Sequence, residues 1–171
     1  MTMPTDRALT LIAALLEASE HPDIVNVGNY GKDDRPGGQS PTGIRVTHRN
    51  QSFSMLWGAV EPAGTTGVPL PDEMPPPRQR AARLLVFVHQ LLDVAKPAQL
   101  RSWRLCASPG VVVPVAAALR LEGHDGSTAY LRATSGSGGN AEPDAEPFPD
   151  YEIPLEGVQR CLQQESVLSA A

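Results

Sequence analysis

A chain of 171 residues with 41% hydrophobic content is long enough to bury one sizeable core and too short to expect two. The formal charge of −5 disfavours nucleic acid as a partner, and Cys106 and Cys161 lie too far apart in sequence for a metal pair or a disulfide framework, which points to a reducing, cytoplasmic setting. No run approaches the roughly 18 apolar residues that a membrane span needs.

Thr5 can cap a first helix over about 5–20, with Leu9, Leu11, Ile12, Leu15 and Leu16 on its apolar face and Asp6 favourably placed in the first turn. The apolar stretch Ala8 to Leu16 does not qualify as a signal peptide, because Asp6 accompanies Arg7 ahead of it and Leu16 or Glu17 falls where a cleavage site needs small residues. Ile24, Val25 and Val27 suit a short strand. Gly28 to Thr42, with four glycines and two prolines, is a long loop. Its start, Gly28 to Asp33, is similar to a phosphate-binding loop only in outline: the spacing is two residues short, and Asp33 would repel phosphate.

Ile44 and Val46 alternate with Arg45 and Thr47, and after the polar turn His48 to Gln51 the run Phe53, Met55, Trp57, Ala59 alternates in its turn, which predicts a hairpin with one buried face. Glu61 to Pro77 carries six prolines and predicts a connector unable to continue a ladder. The segment 78–95, RQRAARLLVFVHQLLDVA, has helical period and places Leu84, Leu85, Phe87, Val88, Leu91 and Leu92 on an apolar face about half the circumference wide, with Arg83, His89, Gln90 and Asp93 outside it. Trp103 and Leu105 mark a further strand. Leu119 and Leu121, the turn Gly123 to Gly126, and the alternation from Thr128 to Ala133 predict a second hairpin.

Ser135 to Asp150 has almost no core-forming residues and predicts a flexible acidic linker, after which a short helix over about 154–168 packs back. The expected organisation is a single domain over 1–134, the linker over 135–150 and a C-terminal helix within 151–171. Its class is α+β: a mostly antiparallel sheet of about five strands in two hairpins, with helices packed against it. This element order is shared by roadblock-like, profilin-like and secretion-chaperone-like scaffolds, too widely to transfer a function.

The four histidines show no metal-ligand spacing with one another or with a cysteine or acid, so neither a metal nor a cofactor site can be written. Cys106 would need a histidine neighbour to act as a nucleophile, and His124 in the next hairpin is the conceivable one. Charge is split: 78–104 carries Arg78, Arg80, Arg83, Lys96, Arg101 and Arg104 against Asp93, whereas 138–171 holds seven acids against Arg160. From this asymmetry Arg80, Arg83, Arg101 and Arg104 are the candidate partner-binding residues, and Glu142 to Glu156 is expected to fold back over them in competition with an external acidic protein. The expected function is a non-catalytic protein-interaction module: an adaptor, chaperone, immunity-type partner or assembly subunit. Surplus apolar face on 78–95 would make a two-fold homodimer. The alternative is a small enzyme or ligand-binding domain, its pocket between sheet and helix lined by Tyr30, Trp57, Trp103 and Tyr130, with His48 or His124 as base.

Overall fold

The computed structural model describes residues 5–30, 43–109, 118–136, 142–143 and 145–170. Helix α1 (Thr5–Ala18) leads into strands β1 (Ile24–Tyr30), β2 (Gly43–His48) and β3 (Phe53–Gly58), and the proline-rich connector carries the two-residue β4 (Thr66–Gly67) before helix α2 (Arg80–Ala95). Strands β5 (Leu100–Ala107), β6 (Ala118–Gly123) and β7 (Thr128–Gly136) follow, and then helix α3 (Leu155–Ala170). The α+β class and the antiparallel sheet hold. Among the described residues the sheet has seven strands where about five were expected, in the order β1-β2-β3-β7-β6-β5-β4.

Two antiparallel meanders, β1-β2-β3 and β5-β6-β7, are joined where β3 pairs with β7, Leu56 opposite Ala133 and Trp57 opposite Arg132. The surplus over the expected count includes β4: Thr66 and Gly67 pair with Ala107 and Cys106, so the connector does enter the ladder, at the sheet edge and in a stretch between its prolines. Both expected hairpin turns form. Each holds one residue at positive φ, Gln51 and Gly126, and is closed by a side chain two residues ahead of a serine: Asn50 Oδ1 accepts the Ser52 N–H at 3.1 Å and Asp125 Oδ1 accepts the Ser127 N–H at 2.9 Å.

The first hairpin buries the opposite face of β3 from the one expected. Its register sets Ile44 against Leu56 and Val46 against Ser54, so Leu56 and Ser54 point inward with the β2 aliphatics, and Phe53, Met55 and Trp57 stand half-buried on the other side. Period alone names two faces and cannot say which one the helices cover; cross-strand register decides.

All three helices lie on one face of the sheet. Helices α1 and α2 pack side by side on the strands, and α3 lies across both as a third layer, burying Val158 and Leu162. Helix α2 is buried around almost its whole circumference, where the sequence shows a half-circumference stripe: α1, α3 and the sheet pack on it, and Arg80 and Arg83 at its start are covered by contacts to Asp23, Pro75, Glu142 and Glu146. The helix stops at Lys96, which adopts the left-handed conformation (φ 46°) and donates its N–H to the Leu92 carbonyl at 2.8 Å, immediately before Pro97. Because Leu91 is fully enclosed between sheet and outer helix, L91A should lower stability by about 2–5 kcal/mol in urea unfolding. A loss below 1 kcal/mol, on the order of a surface substitution, would contradict this packing.

Candidate functional site

The α1–β1 turn, the end of β2 and the start of α2 converge on a buried set of charges. Arg80, 3% exposed, donates through NH1 to Asp23 Oδ2, and its Nε and NH2 reach Glu142 Oε2 at 3.0 and 2.7 Å. Burial opposes the charge on this guanidinium, but its hydrogen bonds to Glu142 and Asp23 more than offset that, raising its pKa above the usual value. Burial likewise works against ionised Glu142, and the bonds from Arg80, Ser52 and Asn50 reverse the balance, so its pKa falls below the ordinary carboxylate value. One turn further along α2, Arg83 donates to the Pro75 carbonyl at 3.0 Å and to Glu146 Oε2 at 2.5 Å.

Beside this cluster stand the elements of an acid, base and hydroxyl relay. His48 Nε2 and Ser54 Oγ share a hydrogen bond of 2.6 Å, and His48 Nδ1 lies 3.6 Å from Asp23 Oδ2. The chemistry does not follow from the residue types. Ser54 is fully buried and lines neither described cavity. Asp23 Oδ2 is engaged by Arg80, and His48 Nδ1 is without a hydrogen-bond partner. Burial, reinforced by the positive charge of Arg80, pushes the His48 pKa down to about 4, which makes it a weak proton acceptor. The trio works as a polar strut between β1, β2 and β3.

Residues 142–143 and 145–153 form a strap across the outer side of α2. Phe148 and Tyr151 pack on His21, with ring centres 6.0 and 4.3 Å from the imidazole, and the Tyr151 hydroxyl donates to the Ser19 carbonyl at 2.7 Å. His21 Nδ1 accepts the Asp23 N–H at 3.1 Å, and burial followed by the charge of Arg83 lowers its pKa. Between strap and helix lies an open cavity of about 440 Å³, walled by Phe87, Phe148 and Tyr151 and bordered by Arg83, Gln90 and Asp93.

Among the described residues, no helix packs on the far side of the sheet. By the register of β2, β3, β7, β6 and β5 it carries Arg45, Phe53, Met55, Trp57, Arg132, Arg120 and Arg104, and with them Tyr130, Cys106 and Ala118, which are buried in a small cluster against which Ala59 packs. The Arg45 guanidinium sits 4.2 Å from the centre of the Phe53 ring, and that of Arg132 sits 5.8 Å from Trp57. Arg104 stands directly opposite Arg120, a like-charge pair that costs stability unless an anion is near. Glu61 Oε1 comes within 3.4 Å of Arg120 Nε, yet this buried nitrogen makes no hydrogen bond.

The four arginines singled out from sequence therefore divide. Arg80 and Arg83 are inside and hold the strap, whereas Arg101 pairs with Glu122 and Arg104 joins the outer sheet face. The aromatic residues expected around one pocket do not gather: Trp57 and Tyr130 lie on the outer face, and Trp103 lies on the helix side with its indole N–H donated to Asp93 at 2.8 Å. The Tyr30 side chain and most of the 28–42 loop lie outside the described residues. Cys106 and His124 sit at opposite ends of the β5–β6 pair, and burial together with Glu61 raises the pKa of the thiol. Sequence reasoning missed Asp23, whose only signal is a lone acid after a helix-ending His21-Pro22, and the Arg45 and Arg132 stacks, which need the register.

No protein-family model, curated protein or solved structure matches the chain. The chemistry of the cluster has two measurable consequences. His48 in the fold binds its proton less readily than in the unfolded chain, so the stability it contributes is complete above about pH 6.5 and is lost as pH falls towards about 4, a change of about 3 kcal/mol. In H48Q the slope of unfolding free energy against pH should flatten over that window; an unaltered slope would show that the imidazole is solvated. Removing the Asp23 charge leaves Glu142 to balance Arg80 alone, so D23N should cost about 1.5–3 kcal/mol in urea unfolding, the range for one charged hydrogen bond.

Proposed function

We propose that the protein is a non-catalytic interaction module that docks an acidic partner protein on the face of its sheet turned away from the helices, where Arg45 and Arg132 are exposed. The observation that carries this reading is the outer-face array: four arginines on β2, β5, β6 and β7, two of them stacked on Phe53 and Trp57, and two facing one another across a strand pair. Arginine and tryptophan dominate the energetics of protein interfaces, because a stacked guanidinium keeps its donors free for carboxylates while its carbon skeleton is already desolvated. On β6 and β5 the face has one carboxylate, Glu122, and that one is held by Arg101. A partner bearing carboxylates would relieve the repulsion between Arg104 and Arg120, which Glu61 meets from the Arg120 side alone.

The apolar face of α2 plays no part in this, because α1, α3 and the sheet already cover it. Arg80 and Arg83 hold the strap instead of lining the docking face. A second reading, a small-molecule site, draws on the cavity of about 440 Å³ beside α2, whose aromatic walls suit a ligand with a flat apolar body.

Copurification of tagged protein from its native cells discriminates the two. A protein held by wild type and by H124A, and lost from R45E/R132E, supports the docking face; both arginines are exposed, so the double variant should unfold within about 1 kcal/mol of wild type. Equal recovery on R45E/R132E overturns the assignment. A small molecule retained by all three, and lost from F87A, would establish the second reading in its place.

A further inference from the structure

The strap occupies its groove in an unusual way. Among the described residues, no backbone hydrogen bond ties 142–149 to the sheet or the helices; side chains hold it, Glu142 on Arg80, Ser52 and Asn50, Glu146 on Arg83, and the Phe148 ring against His21 and Arg49. Pro143, Pro147 and Pro149 remove amide donors and keep such a segment extended, so it resembles a bound peptide more than an element of the fold. Beneath it the groove is complementary by charge. With the strap lifted, Asp23 alone would face two buried guanidinium groups, and the aromatic wall of His21 and Phe87 would be bare. A buried guanidinium stripped of its carboxylate is costly, so the groove cannot stand empty, and any exchange must be carboxylate for carboxylate.

We propose that this groove is a second binding site, for an extended acidic segment of another protein that carries two carboxylates four residues apart and an aromatic ring two residues beyond, and that the strap is its internal competitor. The required chemistry is displayed by the strap itself: Glu142 and Glu146 mark the carboxylate positions and Phe148 the ring. An incoming segment would take Arg80 through the position of Glu142 Oε2 and Arg83 through that of Glu146 Oε2. Glu146 is the natural point of entry, because its side chain is 34% exposed whereas that of Glu142 is 17% exposed. Tethering gives the strap an effective concentration on the order of millimolar, so an outside segment binds weakly until the strap is loosened. The site rests on the interaction-module reading but shares no residue with the outer sheet face.

The test uses the full chain and a fluorescein-labelled peptide, AEPDAEPFPDYEI, copying residues 141–153. Anisotropy titrations should show at least about tenfold tighter binding to E142Q/E146Q than to wild type, as expected when a tethered competitor is weakened, and the gain should shrink with added salt. The same peptide with the glutamates at the positions of Glu142 and Glu146 replaced by glutamine should not bind. Equal affinity for wild type and variant, or unimpaired binding of the glutamine peptide, overturns the proposal. If circular dichroism shows that the double variant does not fold, E146Q alone carries the comparison. Should sedimentation show the variants pairing by exchange of their own straps, the occupant is a second copy and the external acidic partner is overturned. R45E/R132E should take up the peptide as wild type does, so a failed outer face and a failed groove give different results.

Discussion

A guanidinium buried at the first turn of α2 is the constraint from which much of this structure follows. Arg80 cannot be left charged in the interior without carboxylates, and it takes one from each side: Asp23 from the turn between α1 and β1, and Glu142 from the segment after β7. The first pins the end of α1 and the start of β1 to α2. The second brings a chain segment with few apolar residues back over the helix layer, where hydrophobicity alone would not hold it. His48 is neutral for the same reason: a second positive charge beside Arg80, in a site where burial already opposes it, is excluded down to about pH 4.

Much of the architecture was legible in the sequence, and the parts that were not share a cause. Helices and hairpins announce themselves through local period and turn chemistry, and those over 80–95, 43–58 and 118–136 appear where the pattern puts them. What local pattern leaves out is the third dimension of packing. The polar border of the α2 stripe, Arg83 included, is a solvent face only while nothing lies over it; α3 and the strap turn it into interior. In the same way, Phe53, Met55 and Trp57 look like core until the pairing of Ile44 with Leu56 places them on the side away from the helices. The charge split between 78–104 and 138–171 is a long-range signal of another kind, and Glu142 on Arg80 and Glu146 on Arg83 are its visible outcome.

The Asp23, His48 and Ser54 grouping shows why a list of residue types is weak ground for an activity. Distances alone would admit a relay, yet each member is committed elsewhere or closed off: the carboxylate to Arg80, the imidazole to a neutral state, the hydroxyl to full enclosure. Catalysis needs a reacting atom within reach of nucleophile and base together, and no described cavity touches Ser54. The His48–Ser54 hydrogen bond is well suited to stiffening the end of the first meander, because a polar link in a low-dielectric interior is specific in direction where apolar packing is not.

The two faces of the molecule are then built on opposite principles. On the helix side every charge that enters the interior is answered from within the chain, so binding there requires the exchange of one carboxylate for another. On the sheet side the arginines are answered only in part: Arg104 stands against Arg120, Glu61 pairs with Arg120 at 3.4 Å without a hydrogen bond to its Nε, and the Arg45 and Arg132 guanidinium groups lie over rings that are themselves only half covered. A fold that neutralises its buried cations so thoroughly and yet carries arginines and aromatic rings on its other face is, on the proposed reading, suited to anionic surfaces. That suitability survives a net charge of −5, because contact electrostatics are set within a Debye length of about 8–10 Å and not by the sum over the chain.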